Sequence, residues 1–344
     1  FPDNDYHLFT TEAQQQLFDT NQGTFKVHEP TGIWSKLPKA LWRSYGQGSQ
    51  VGQQQCDIYH GLSNELPRSL PRKTKQVVTI HDLIFLRFPE WYNAIDRRIY
   101  EAKSYRAAKT ADAVIAVSKR TKMDIVKYYH VNPNRIHTIY QSCHPGFYKL
   151  WNEAEKEELR KAYDLPDNYI LYVGSLTERK SAITLVQAFK RLKNSFDIDL
   201  VLVGDGGKYK RQILEYIEQR ELGSRVKMID YAPQEQLPGI YQNARVFVYP
   251  SIYEGFGIPI IEALYSKVPV ITSNVGCFPE AGGPDSMYVY PRSISAVEEG
   301  LRQILLDEKL QQEMAEKGWQ YAQRFNEDKI AQQVNELYTK LLSV

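Results

Sequence analysis

The feature that most constrains this chain is a regular alternation of short apolar, β-rich runs with amphipathic helical segments. In the first half the runs are DIYH (57–60), VVTI (77–80), AVIAV (113–117) and RIHTI (135–139). In the second half they are YILYV (169–173), LVLV (200–203), VKMI (226–229), VFVY (246–249), VPVIT (268–272) and MYVY (287–290). Near-continuous apolar runs of this length suit strands buried on both faces of a parallel sheet. Helical patterns such as AITLVQAFKRLK (182–193) and KRQILEYIEQREL (210–222) lie between them. Strands alternating with helices imply right-handed βαβ units, so the expected class is α/β.

The 344 residues suit two domains better than one. The boundary is expected within 141–165, where QSCHPGFYKL carries Pro and Gly after a strand and a charged helical segment follows. The expected domains are 1–148 and 149–326, with the last helical segment, 327–344, packing back on the first domain or on the second. The first strand falls within DYHLF (5–9). No strand, glycine loop and helix precede it, so the first βα unit of the first domain is expected to be absent.

Apolar residues make up 42% of the chain and charged residues 24%, which allows sizeable cores and excludes a disordered chain. No apolar run approaches the roughly 18 residues of a membrane span, and none reads as a secretory leader. Cys56, Cys143 and Cys277 are widely spaced and odd in number. That argues against a disulfide framework or a zinc cage and suits a reducing cytoplasm. The net charge of +2 hides an asymmetry. Residues 1–150 hold 20 Lys and Arg against 13 Asp and Glu, and the remainder holds 23 against 28. A basic first half attracts an anionic membrane or an anionic acceptor, or is simply a solvated mixed face.

In open parallel sheets, ligands bind where the carboxyl ends of strands lead into helix N-termini. The chemically informative residues follow the strands. His81 and Asp82 follow VVTI, Ser118 follows AVIAV, and GSLTERKS with Arg179 and Lys180 follows YILYV. Gly204-Asp205-Gly206-Gly207 follows LVLV, and SIYEGFGIPIIEAL (251–264) follows VFVY. In that last stretch Gly255 and Gly257 let the backbone approach a ligand or take positive φ. Pro259 suits a first helical turn, and the exposed N–H groups near 257–260 suit phosphate. Glu254 and Glu262 flank this mouth, and ionised carboxylates accept from vicinal sugar hydroxyls. Two acids beside an anion site need cations, which Arg179 and Lys180 supply.

PSIYEGFGIPIIEAL (250–264) resembles the signature of the retaining glycosyltransferases of family 4, which have the GT-B fold. The resemblance continues through VTIHD (78–82), IAVSKRTKMDI (115–125), YVGSLTERKS (172–181), LVLVGDGG (200–207) and APQEQLPGIYQNARVFVYPS (232–251). It ends with PVITSNVGCFPEAGG (269–283). It implies two Rossmann-like domains facing across a cleft, with the donor on the second domain and the acceptor on the first. Glu262 matches the glutamate that holds the nucleotide ribose, and Glu254 the one that contacts the donor sugar. The backbone of Gly255, Phe256, Gly257 and Ile258 receives sugar and phosphate, with Gly174 and Gly204 at neighbouring strand ends. Lys180 matches the diphosphate lysine. Arg179 is expected to share that task, although the family often places its arginine directly after the strand-end glycine, where this chain departs with Ser175. His81 matches a first-domain histidine near the donor sugar, against its plain reading as a strand-end histidine bonded to backbone. Ser118 is expected to be structural.

The resemblance implies a metal-independent transfer of a hexosyl residue, from GDP-mannose or a UDP-sugar, to a saccharide or lipid-linked glycan acceptor. No cofactor and no nucleic acid are implied. The expected location is the cytoplasm, with peripheral association at the inner face of a membrane. Asp197-Ile198-Asp199 reads as a metal-binding DxD but precedes its strand, at the wrong end for a cleft. VGDGGKYK fails the dinucleotide fingerprint at Tyr209, which argues against a nicotinamide dehydrogenase. A GT-B UDP-sugar epimerase and a non-catalytic or truncated sugar-nucleotide-binding protein remain as alternatives.

Overall fold

The computed structural model describes residues 1, 3–11 and 25–343. They fall into two compact units. One comprises Phe1–Ala116, Lys122–His137 and Asn335–Val344, and the other Val117–Thr121 and Thr138–Val334.

In the first unit, β1 (Tyr6–Phe9) pairs in parallel with β2 (Phe25–His28) as a separate two-stranded sheet. Strands β3 (Ile58–Gly61), β4 (Lys75–Ile80), β5 (Ala113–Ala116) and β6 (Ile136–Thr138) form a second sheet in that spatial order. The pairs β3–β4 and β4–β5 are parallel. Every residue of β5 is buried, as its unbroken apolar run requires. Ala107 and Ala108 of the helix Ala94–Thr110 join the same core as Val78, Ile80 and Val114, where only small side chains let the helix lie close.

The second unit holds six strands: β7 (Tyr169–Val173), β8 (Asp199–Val203), β9 (Val226–Ile229), β10 (Val246–Tyr249), β11 (Val270–Ser273) and β12 (Met287–Val289). Their order is β12-β11-β10-β7-β8-β9, and every neighbouring pair is parallel. From β7 the chain winds outward through β8 and β9, and from β10 it winds the other way. The crevice between β7 and β10 is therefore the topological switch point, where this architecture places ligands at the carboxyl ends of strands. The helix Ala182–Leu192 packs seven buried residues onto the sheet. The charged helix Glu153–Ala162 starts at a capping box formed by Asn152 and Glu155.

The units divide at 137/138 rather than at the expected 148/149. The intervening segment lacks periodicity, but its Phe147 is fully buried in the second core and meets Tyr241 edge-on at 5.4 Å. The last helix, Glu327–Leu342, belongs to the first unit only from Asn335 onward. There Tyr338 Oη meets His60 Nδ1 at 2.5 Å, and Asn335 accepts from Asn4 at 3.1 Å. Residues 117–121 cluster with the second unit because the Glu280 carboxylate accepts the backbone N–H groups of Lys119 and Arg120, at 2.7 and 3.0 Å. Ser118, just before the helix Lys119–Tyr129, accepts the Thr121 N–H at 2.9 Å.

Candidate functional site

The turns after β7 and β10 meet at the switch point. The first turn ends in the short 3-10 segment Glu178–Lys180, which carries Arg179 and Lys180. Gly174 opens it at φ +150°, and a Cβ there would sit 3.3 Å from Lys180 Nζ. Gly204 follows β8 at φ +143°, and its backbone lies against the Gly174 carbonyl, where a Cβ would collide. The second turn runs from Ser251 to Gly257, which takes φ +122° and precedes the helix Ile258–Tyr265. Pro259 lies in the first turn of that helix, where no N–H is required of it.

Glu254 is the hub of the cluster. Its Oε2 lies 2.5 Å from Arg179 Nη1, and its Oε1 lies 3.7 Å from Lys180 Nζ. Tyr249 and Ser251 both donate to Oε1, at 2.9 and 3.1 Å. Lys180 donates to the Tyr249 hydroxyl at 2.9 Å. Arg179 also donates to the Tyr253 carbonyl at 2.6 Å. The Cys277 thiol donates to the carbonyls of Glu254 and Phe256, at 3.2 and 2.8 Å, and so holds the glycine-flanked turn from below.

The electrostatics follow from burial and pairing. Burial works against ionisation of Glu254, but Lys180 and Arg179 outweigh it and hold the carboxyl below its ordinary range. Burial lowers the Lys180 ammonium, Glu254 partly offsets the fall, and Arg179 adds to it. Glu262 lies inside the helix Ile258–Tyr265, is 8% exposed, and accepts from Tyr241 at 2.9 Å. Its burial pushes the carboxyl up to about 7, against the Tyr241 bond and the charge of Lys180.

The structure thus brings together Gly174, Arg179, Lys180, Gly204, Glu254, Gly255, Phe256, Gly257, Ile258 and Glu262 in one unit. The structure adds two details to the sequence reading. The cations expected to await a diphosphate are paired with Glu254. The Phe256 side chain belongs to the core, stacked on Tyr140 at 5.4 Å, so only its backbone faces the turn. His81 stands at the end of β4 in the other unit. Its N–H donates to Asn64 at 2.8 Å and its Nε2 meets the Leu62 carbonyl at 2.8 Å, so backbone bonding occupies one ring nitrogen. Tyr249, Tyr241, Ser251 and Cys277 were not anticipated.

Two decoys resolve. Asp199 starts β8 and is bonded by Arg225, with Asp197 4.0 Å from the same guanidinium, so this pair holds an ion pair at the amino end of the strand. Asp205 of the glycine loop pairs with Lys210 at 2.8 Å.

A parallel α/β unit with a cation–carboxylate cluster at its switch point, joined to a second α/β unit, is the architecture of GT-B glycosyltransferases. Anabaena HepE, solved in complex with UDP-glucose, matches 97% of this chain over 91% of its own, with a TM-score of 0.75 and 17% identity. The family described as Glycosyl transferases group 1 matches residues 155–321, and that described as Glycosyltransferase Family 4 matches residues 3–144. The O-antigen chain mannosyltransferase B of Escherichia coli is 32% identical over 83% of this chain and 74% of that protein. The O-antigen chain mannosyltransferase RfbU of Salmonella typhimurium is 29% identical over 65% of this chain and 59% of its own length. The chain belongs to the family 4, group 1 glycosyltransferases.

Proposed function

We propose that this glycosyltransferase moves a mannosyl residue from GDP-mannose to a saccharide acceptor during synthesis of a surface polysaccharide of the O-antigen type. The observation that carries this reading is the 32% identity to the O-antigen chain mannosyltransferase B. A UDP-sugar donor is the second reading, favoured by the UDP-glucose complex of the HepE fold relative.

In the proposed reaction the bond between the sugar's anomeric carbon and the diphosphate oxygen breaks, and a bond to the acceptor oxygen forms on the same face. The acceptor proton passes to the departing diphosphate. Arg179, Lys180 and the N–H groups at the start of the helix Ile258–Tyr265 receive the growing charge, without a metal ion. The diphosphate takes over the charge of Arg179 and Lys180, and Glu254, held in place by Tyr249 and Ser251, accepts the sugar hydroxyls. Glu262, once ionised, accepts the ribose hydroxyls.

We further propose a site at the cytoplasmic face of a membrane. No helix among the described residues is long and apolar enough to cross one. The helix Ala94–Thr110 leaves Ile95 70% exposed and Ile99 and Tyr100 each 48% exposed, beside Arg97 and Arg98. Apolar and basic side chains on one exposed helix suit an anionic lipid surface. Lys103 pairs with Glu65 at 2.6 Å, which leaves this task to the two arginines. Replacing both by Gln is expected to abolish sedimentation with phosphatidylglycerol vesicles. Unchanged sedimentation contradicts the lipid surface.

The reaction is tested by incubating the protein with chelator, octyl α-mannoside and GDP-mannose or UDP-glucose, and reading the product by NMR. An α-linked mannosyl product with release of GDP is expected. Consumption of UDP-glucose alone, or a β-linked product, overturns the reading.

A further inference from the structure

Each carboxylate of the Glu-x7-Glu pair is met by a buried tyrosine that no motif singles out. Tyr249 closes β10 and is fully buried. Its hydroxyl donates to Glu254 Oε1 and accepts from Lys180 Nζ, both at 2.9 Å. A phenol has one proton and spare lone pairs, so it serves an anion and a cation together only in this direction. Tyr241, in the helix Leu237–Gln242, is also fully buried and donates to Glu262 Oε2 at 2.9 Å.

The two rings belong to one aromatic stack. Phe247 lies 5.1 Å from Tyr241 and 6.0 Å from Tyr249, between ring centroids, and Tyr172 lies 6.0 Å beyond Tyr249. Close-packed interiors resist displacement, so the stack holds both hydroxyls at fixed heights above the sheet. Packing alone would be served by phenylalanine, because a buried hydroxyl is unfavourable unless it is hydrogen-bonded. Both hydroxyls spend their proton on a glutamate of the site.

We propose that Tyr249 and Tyr241 are positioning residues for glycosyl transfer. Tyr249 locks Glu254 and Lys180 into one arrangement, and Tyr241 orients Glu262 and favours its ionised form. Their part in transfer rests on the function proposed above, but their hold on the two carboxylates does not. The titratable groups acting with Glu262 are Tyr241, Lys180 and Cys143. Those acting with Glu254 are Lys180, Arg179 and Tyr249, with Tyr172 and Cys277 nearby.

The test uses Tyr241→Phe and Tyr249→Phe, which delete the hydroxyls and keep the stack. The first readout needs no ligand. Carboxyl titrations in the free protein are followed by infrared difference spectroscopy, with signals assigned by their loss in Glu262→Gln and Glu254→Gln. Tyr241→Phe is expected to move the Glu262 titration upward by about half to one pH unit, the equivalent of one lost hydrogen bond. Tyr249→Phe is expected to raise the Glu254 titration and leave that of Glu262 in place. The second readout is transfer from GDP-mannose. There Tyr249→Phe is expected to lower kcat about 10–100-fold and to change the donor KM by less than about threefold. A Glu262 titration unmoved by Tyr241→Phe overturns the role of Tyr241. A Glu254 titration unmoved by Tyr249→Phe, or a wild-type kcat, overturns that of Tyr249. If the wild-type protein transfers from no nucleotide sugar, the proposed function fails, and the titrations still decide the role of the tyrosines.

Discussion

Arg179 Nη1 lies 2.5 Å from Glu254 Oε2 and 2.6 Å from the Tyr253 carbonyl, so one nitrogen ties the turn after β7 to the turn after β10. The ion pair is mostly shielded from solvent, with side-chain exposures of 22% and 14%. Glu254 is the counter-ion of Arg179 and Lys180, and on the proposed function a diphosphate takes over that charge. Lys180→Ala is therefore expected to lower kcat/KM about 10–1000-fold, since charged hydrogen bonds contribute about 1.5–3 kcal/mol each. Steady-state kinetics with the donor varied checks this, and near-wild-type turnover contradicts the assigned role.

Glu262 gives a pH signature. Burial raises its carboxyl to about 7 in the folded protein. Between the ordinary carboxylate value and 7 the folded state holds a proton that the unfolded state has released. That contribution is fully present below the unfolded pKa and is lost as pH rises through about 7. It is on the order of 3 kcal/mol. Denaturant titrations should show it in the wild type and not in Glu262→Gln. On the proposed function, nucleotide binding should move the opposite way and tighten as pH rises through 7, because an ionised Glu262 is the stronger acceptor for the ribose hydroxyls. A pH-independent binding constant between 5.5 and 8.5 would contradict that.

The first unit carries the reverse dependence. His60 is bonded to Tyr338 and Thr79, at 2.5 and 2.8 Å, and burial lowers its pKa to about 4, with His81 adding to the fall. Its neutral form is favoured on folding, so its contribution is present above the unfolded value near 6.5 and is lost as pH falls through 4. His60→Gln should flatten the decline in melting temperature on the acid side. The same decline in the variant would show that His60 is not its source.

Gly257 tests the turn. Its φ of +122° lies where side-chain-bearing residues are strained, although a Cβ would meet nothing closer than Ile260 Cδ1 at 3.2 Å. Gly257→Ala is expected to cost about 1–3 kcal/mol through backbone strain rather than collision. Chemical denaturation measures this, and a loss below about 0.5 kcal/mol would mean that the turn relaxes.

The strands were legible because those of a sheet covered on both faces are apolar throughout, as Tyr169 to Tyr172 illustrate with no exposure. Strand β2, FKVH, escaped notice because Lys26 and Val27 face solvent and leave no apolar run. The approach of Lys180 to Glu254 was legible because both sit in ordered sequence signatures at strand ends. Tyr241, Tyr249 and Cys277 were not, because a tyrosine or cysteine in an apolar run looks like any core residue. Their meaning depends on partners 5 to 23 positions away, which only the folded sheet brings within reach.

On the proposed function, one unit holds a nucleotide-sugar site built on Lys180 and Glu262. The most direct measurement is calorimetric titration of GDP-mannose and UDP-glucose, each with chelator, into the wild-type protein, Lys180→Ala and Glu262→Ala. Saturable one-to-one binding of GDP-mannose is expected, weakened at least about tenfold by both substitutions. Binding that both substitutions leave unchanged, or that chelator abolishes, would contradict it.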